Sequence, residues 1–513
     1  MDGLCDSRHN PSSGLSEYSQ AIQPIQVLGA NGLEITIVNR HDFLTLDDVK
    51  CYWDIIADRK QIIGHEVHVP KGIQPHAQAT LVLGGALAAK IQNLSTTAST
   101  TAGAWLELAF RQQTASSWAP AGRTIARAQV PLTPPESLAT ILKKERALLS
   151  SSETTARTGK EGEKSYPHVE VRDDGALYCV TIANGTTFGF DTRNGTLSYL
   201  THASSPSSSS SSSLSTVDVE AEADVTDMVA PGENLITQPL TLDLYRAQTD
   251  NDRGGPFGPE WVDRRVHQTR QHFERMTTAT STSTRTPTDS SSTVNRENDQ
   301  TTTTTSTTVK ITIQSRVAPP VLAWSIATTT TYTFTASSCH IRVQARPSGA
   351  LLPTTFARFG LSLGLRSVRI VEWFGRGPQE SYRDKKRAQY VNTWGFAVDG
   401  MWADYDVPQD NGNRTDVRWV ELRSSWGGEE KGRLLRARFG DHNGGSFSVS
   451  RYGTKDVDEC MHPYELHKRK RDDCLVRLDW YHHGLGTGSC GPATLPEYQL
   501  KADQEFDVEL LLD

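Results

Sequence analysis

Long apolar runs are missing from this 513-residue chain. No stretch nears the roughly eighteen residues that a membrane-spanning helix needs, so no membrane partner is expected. The N-terminal MDGLCDSRHNPSSG lacks the basic and apolar regions of a secretory signal, which makes cytoplasmic residence the default expectation. Cysteine is sparse: Cys5, Cys51, Cys179, Cys339, Cys460, Cys474 and Cys490 are odd in number, scattered and without a C-x-x-C pair. Neither a disulfide scaffold nor a zinc site has the spacing it requires. An excess of positive charge is missing too. The 53 basic and 60 acidic residues leave a net charge of -7, which argues against a nucleic-acid partner. Helical periodicity is rare outside one Leu- and Lys-rich run.

What remains is β-rich. From 20 to 134, LEITIVN, CYWDII, HEVHV, ATLVL, AWLELAF and TIARAQVPL are strand-length runs between polar turns, the pattern of one immunoglobulin-like antiparallel sandwich. LATILKKERALL reads as a short helix within a linker over 135–165, whose remainder has little to bury. From 166 to 513, runs such as LYCVTI, VKITI, HIRVQA, SVRIVEWF, FSVSRY, CLVRLDWY and FDVELLL predict a second, larger two-sheet sandwich. The fold class is therefore all-β. A serine tract at about 203–233 and a Thr/Ser-rich stretch at about 277–308 are too polar to bury a core, and both read as disordered inserts.

Aromatic residues concentrate between Val371 and Leu422, where Trp373, Trp394, Trp402 and Trp419 alternate with Gly-Pro, Pro-Gln and Asn-Gly turn signals. Trp373 and Trp419 lie inside strand-like runs and read as core; Trp402, in the turn-rich GMWADY, reads as exposed or interfacial. The carboxylate pairs Glu380/Asp384, Asp250/Asp252 and Asp404/Asp406 have the proximity of an acid/base pair, yet solvated or turn-capping carboxylates explain such spacing more simply. For Asp250-Asn251-Asp252, side chains that fix the backbone of a tight loop are the better account. Neighbours on a strand face opposite ways, so His482 and His483 cannot easily share a metal, and a place on the rim of the Gly484–Gly491 loop fits them better. The basic run His467–Arg471 is short and followed by Asp472 and Asp473, as in a solvated turn.

The stretch Trp373, Gly375, Gly377, Pro378, Glu380, Tyr382, then Met401, Trp402, Tyr405, Pro408, Asp410, Asn411, Gly412 and Arg414, resembles the C-terminal small-chain region of the family 2 β-galactosidases. Gly400 departs from the pattern, which has Asp there. YRAQTDNDRGG (245–255) is similar to a family loop, with Gln248 in place of its proline, and DWYHHGLGTGSCGP (479–492) is similar to the family's terminal loop. MDGLCDSRHNPSSGLSEY resembles the end of the family's catalytic barrel, a remnant over 1–19.

The resemblance implies that the larger sandwich is a galactose-mutarotase-like β-supersandwich, and that the chain is the C-terminal part of an enzyme hydrolysing terminal β-D-galactosides such as lactose. It implies substrate contact near Asp2, Asp250, Asn251, Asp252, Gly254 and Cys490. Cys490 takes the place of a tryptophan that stacks on sugar in some members. Both catalytic glutamates, and the Mg and Na ligands of the barrel, belong to family segments that precede the matched region. No cofactor and no hydrolysis are therefore expected of this chain alone, and its implied partners are a β-galactoside and either a barrel-bearing large chain or further copies of itself. Two alternatives stay open: a non-catalytic carbohydrate-binding sandwich or relic of the enzyme, and a longer enzyme of which this is one part.

Overall fold

The structure is a computed structural model. It describes residues 4–5, 9–85, 87, 90, 102–134, 136–138, 140–141, 143–144, 169–202, 232–285, 304–426, 432–440 and 444–513. Among these the chain folds as β-sheets in two sandwiches, and no helix is long and apolar enough to cross a membrane.

The first sandwich pairs a three-stranded sheet with a four-stranded one. In Glu34–Asn39 the alternation of apolar and polar residues turns Ile35 and Ile37 inward, and both are fully buried. They meet Trp53, Ile55, Leu106, Leu108 and Phe110 of the facing sheet in one core. All six predicted runs appear as strands or parts of strands; Ile25–Asn31 is a seventh, which pairs with Glu34–Asn39. Leu138, Thr140, Ile141, Lys143 and Lys144 are helical, as their run implies, while 145–168 lies outside the described residues.

The second sandwich is built from two nine-stranded sheets. Their facing sides share a core, closed by ring contacts between the sheets: Phe190 against Tyr332 at 4.7 Å, Phe359 stacked on Phe506 at 3.9 Å, and Trp373 edge-on to Phe447 at 5.5 Å. Trp373 and Trp419 are buried, as read from the sequence.

The segment expected to be disordered over about 277–308 begins and ends instead as ordered ladder. Arg270–Arg285 pairs with Thr304–Ala318 residue by residue, and the partner strand carries Val309, Ile311 and Ile313 into the core. Threonine is β-branched and suits a pleated strand, so a register anchored by apolar residues extends outward through a polar Thr/Ser stretch. Residues 286–303, and 203–231 of the serine insert, lie outside the described residues.

The sandwiches dock through Ile56 and Trp105 on one side and Phe374, Val391 and Trp419 on the other. Beside this contact Trp419 Nε1 donates to Asp58 at 2.9 Å, and the Arg59 guanidinium lies 4.5 Å over the Trp419 ring while pairing with Glu421 at 2.8 Å. Helix α1 (Ser13–Ile22) straps across the joint, with Glu17 accepting from the backbone N–H groups of Arg387 and Ala388.

Two adjacent central strands, Ile236–Asp243 and Arg358–Leu365, carry the floor of the candidate site. Gly360 lets the second lie tight against its other neighbour, Cys474–His482: a Cβ there would stand 2.0 Å from Asp479 Oδ1 and 2.5 Å from the Leu478 carbonyl oxygen. Gly360→Ala is expected to destabilise the chain by about 1–3 kcal/mol, because rigid backbone leaves nothing to yield. Urea unfolding should show the midpoint falling, and an unchanged midpoint would mean the central ladder is looser than it looks.

Candidate functional site

The site is assembled around Arg246, which follows the central strand Ile236–Asp243 and is fully buried. Its guanidinium donates from Nε and Nη2 to the two oxygens of Asp252, at 3.2 and 2.8 Å. Nη1 donates to His482 Nδ1 at 3.1 Å and to the His483 carbonyl at 2.8 Å, and Nη2 also donates to the Gly484 carbonyl at 3.1 Å. All five N–H donors are thereby used.

Asp252 belongs to helix α2 (Asp250–Gly254), which replaces the tight loop expected at this position. A capping box forms it: Thr249 Oγ1 accepts from the Asp252 N–H, and the Asp252 carboxylate accepts from the Thr249 N–H at 2.9 Å. Both Asp252 oxygens are thus occupied within the protein. The Asn251 side chain donates to the Gly486 carbonyl at 2.9 Å and accepts from Ser489 Oγ at 2.7 Å. Gly254 faces Gly488 so closely that a Cβ at Gly254 would stand 2.7 Å from the Gly488 carbonyl oxygen. Backbone therefore packs directly on backbone, and α2 and the loop Gly484–Pro492 act as one rim.

A third tether comes from Asp384, whose oxygens accept from the N–H groups of Leu485 and Gly486 at 2.9 and 2.7 Å. The loop also closes on itself, with Thr487 Oγ1 donating to the Pro492 carbonyl at 2.9 Å. Cys490 sits exposed beside Ser489, and Asp250 is half-buried at the start of α2, 3.5 Å from Arg253. Asp2 lies outside the described residues. The other five predicted site residues, from two stretches more than 230 positions apart, come together in this rim.

His482 and His483 do not stand on the rim. Both are buried beneath it, where the His483 ring meets Phe257 and Trp261 at 4.9 and 5.4 Å and its Nδ1 accepts from the Leu500 N–H. Burial, and then the adjacent Arg246 charge, drive the His483 pKa down to about 2 and that of His482 well below its ordinary value. Both rings stay neutral, and His482 Nδ1 lies 3.1 Å from Arg246 Nη1 and 2.9 Å from the His483 carbonyl. Among the described residues no three His, Cys, Asp or Glu side chains gather as a metal-holding group.

The carboxylate pairs divide into separate structural jobs. Glu380 is buried and accepts from Ser13 Oγ of α1 at 2.8 Å, Lys385 Nζ at 2.9 Å, Tyr405 Oη, and the Gly412 N–H at 3.1 Å. Asp384 points elsewhere, into the loop. Asp404 pairs with His467 at 3.0 Å rather than with Asp406. The basic run is likewise dispersed, Lys470 reaching Asp399, Arg469 reaching Asp456 and Glu459, and Arg471 reaching Asp473.

A family model described as the β-galactosidase small chain matches residues 210–512. This chain belongs to that family. A model of β-galactosidase domain 4 matches residues 35–133, within the first sandwich. The β-galactosidase of Kluyveromyces lactis is 26% identical over 513 residues, covering 99% of this chain and 39% of the relative. That of Arthrobacter sp. (strain B7) is 24% identical over 522 residues, covering 98% of this chain and 42% of the relative. This small-chain homologue thus spans about two fifths of the length of either relative. A shorter match of 33% over 150 residues links it to the β-galactosidase of Enterobacter cloacae, covering 29% of this chain and 13% of the relative.

Within this small-chain homologue, Glu380 makes stability depend on acid. Burial alone would raise its pKa, but the Lys385 ammonium and the donors from Tyr405, Lys385 and Ser13 outweigh it and hold it at about 2, against an ordinary 4.5. A depressed carboxylate pKa stabilises the fold above the unfolded value, and that contribution drains away as pH falls from about 4.5 towards 2. The contribution at neutral pH is on the order of 3 kcal/mol. Glu380→Gln should lower the unfolding midpoint at pH 7 and flatten the loss of stability between pH 4.5 and 2. Denaturation curves across that range decide it, since a variant as acid-sensitive as the parent would place the titration elsewhere.

Proposed function

We propose that this chain is the C-terminal part of a β-galactosidase, and that the rim of α2 and Gly484–Pro492 forms one wall of the galactoside pocket. Family membership supports the enzyme class. The observation that carries the pocket reading is the tethering of the loop from three sides, by Asn251, Asp384 and Arg246, with its tip left exposed. A loop held in one conformation before binding loses little freedom when a ligand arrives, which suits a wall that positions a sugar. The barrel that supplies the two catalytic carboxylates, along with its Mg and Na, belongs on this reading to a preceding segment or to a separate large chain. The work would be cytoplasmic. Further copies of the assembly are the other partner class.

Substrate contact then falls to the half-buried Asp250 beside Arg253 and to the exposed Ser489-Cys490 tip. Cys490 offers a small polarizable thiol where a ring would offer a stacking face, so sugar is gripped more by polar contacts than by stacking.

Mixing the chain with a barrel-bearing β-galactosidase large chain should yield hydrolysis of o-nitrophenyl β-D-galactoside that neither part gives alone. In the complemented enzyme Asn251→Ala should raise KM several-fold by loosening the loop, with a smaller effect on kcat. Failure of every tested large chain to gain activity, or an Asn251→Ala enzyme with unaltered KM, would remove the rim from the active site.

A further inference from the structure

Outside the rim, the structure gathers three features that the sequence left unconnected: Trp402, Asp404 and the basic run His467–Arg471. Trp402, Asp404 and, from the basic run, His467 and Lys470 line one open pocket of about 360 Å3, which shares no residue with α2 or the loop Gly484–Pro492. Its wall is a layer of rings. Trp402 lies 4.9 Å from Tyr452, and His467 stacks on the Tyr452 ring at 6.3 Å, 27° from parallel. Tyr452 is buried in a small apolar cluster with Ala247, Val457, Cys460 and Leu466, and Trp402 packs against that cluster while remaining partly exposed. The aromatic surface is therefore fixed from behind.

Charged side chains edge the rings in alternation. Asp399 lies 3.2 Å from Arg451 and 3.0 Å from Lys470, and Asp404 lies 3.0 Å from His467. Asp399 keeps 59% of its side chain exposed, and Asp404, His467 and Lys470 keep 41%, 46% and 43%. Such exposed ion pairs contribute little stability of their own, and their remaining lone pairs and N–H groups stay open to a ligand. Asp399 and Asp404 offset Arg451 and Lys470, so with a neutral His467 the pocket has no net charge with which to hold an ion. A phosphate would meet Asp399 and Asp404, and a metal ion or ammonium would meet Arg451 and Lys470.

A neutral ring with an apolar face and hydroxyls at its edge satisfies all of these constraints. Each hydroxyl both donates and accepts, which suits alternating acceptors and donors, and the volume falls at the low end of the range for small-ligand sites. We infer that the pocket bounded by Trp402, Tyr452, Asp399, Asp404 and Lys470 is a second carbohydrate site, one that takes a neutral pyranose unit on the Trp402 face. It is independent of the wall proposed for the galactoside pocket.

The decisive measurement is saturation-transfer NMR and calorimetry on the full chain with methyl β-D-galactopyranoside and methyl β-D-glucopyranoside. Binding in the millimolar range is expected, reduced about tenfold or more by Trp402→Ala and by Asp404→Asn, and retained by Trp402→Phe. Asp404 is at the surface, so its variant reports on binding even where Trp402→Ala lowers the melting temperature. Asn251→Ala, which acts at the rim, should leave this binding intact. Absence of binding to either glycoside, equal binding by both pocket variants, or loss with Asn251→Ala alone would overturn the assignment. So would displacement of the glycoside by inorganic phosphate, which would mark an anion site.

Discussion

One buried guanidinium organises the part of this molecule that faces outward. Arg246 is inaccessible to water, and an ion in that position is tolerable only when every donor finds a partner. Its partners come from two distant segments, α2 through Asp252 and the start of the terminal loop through the His483 and Gly484 carbonyls. The pairing therefore joins the two halves of the rim as a condition of burial. Removing either charge would leave the other unpaired, a penalty of several kcal/mol and a far larger disturbance than the loss of one surface contact. The neutrality of His482 is part of the same arrangement, because burial and the neighbouring guanidinium both disfavour a charged imidazole there.

Beneath this pair runs a second buried ionic layer. Arg358 forks onto Asp479 at 2.6 Å across the central ladder, and Tyr382 donates to Asp410 at 3.0 Å. Burial pushes the Asp479 carboxyl up to about 6, and Arg358 opposes that push. Arg358 and Asp479 lie on the polar side of strands whose other side, with Leu361, Leu363, Val476 and Leu478, fills the core between the sheets. A strand with a buried polar side and a buried apolar side can slip register on neither, so the rim above it inherits a fixed base.

The same double burial explains what the sequence concealed. Glu34–Asn39 was legible because one side is buried and the other is not. Arg358–Leu365 does alternate, with Phe359, Leu361, Leu363 and Leu365 on one side, but the other side carries Gly360, Ser362 and Gly364 rather than the polar residues of a solvated side, and glycine weakens a strand signal. The Thr/Ser stretch failed in the opposite sense: its composition reads as disorder, while the apolar residues that order it sit on the partner strand. At the site, each loop could be recognised by its own motif. Their meeting could not, since the Asn251 to Gly486 bond spans 235 positions and depends on where the sheets place both ends. The histidines were misplaced for a local reason: alternation on a strand tells which way two neighbours face, but not that both directions lead indoors.

The way side chains are occupied narrows what the family motif in α2 can mean for recognition. A side chain whose polar atoms are all engaged inside the protein has nothing left for a ligand, however strongly a motif marks it. Asp252 is in that state, and the amide of Asn251 is spent at both ends on the loop. Gly254 contributes the absence of a side chain. The motif therefore encodes mainly the shape of the rim. The exposed tip of the rim carries the Cys490 thiol, which lacks the ring that Trp402 places elsewhere on the same sandwich. Shape and stacking are thus separated in space, and a variant that altered one would leave the other to be read on its own.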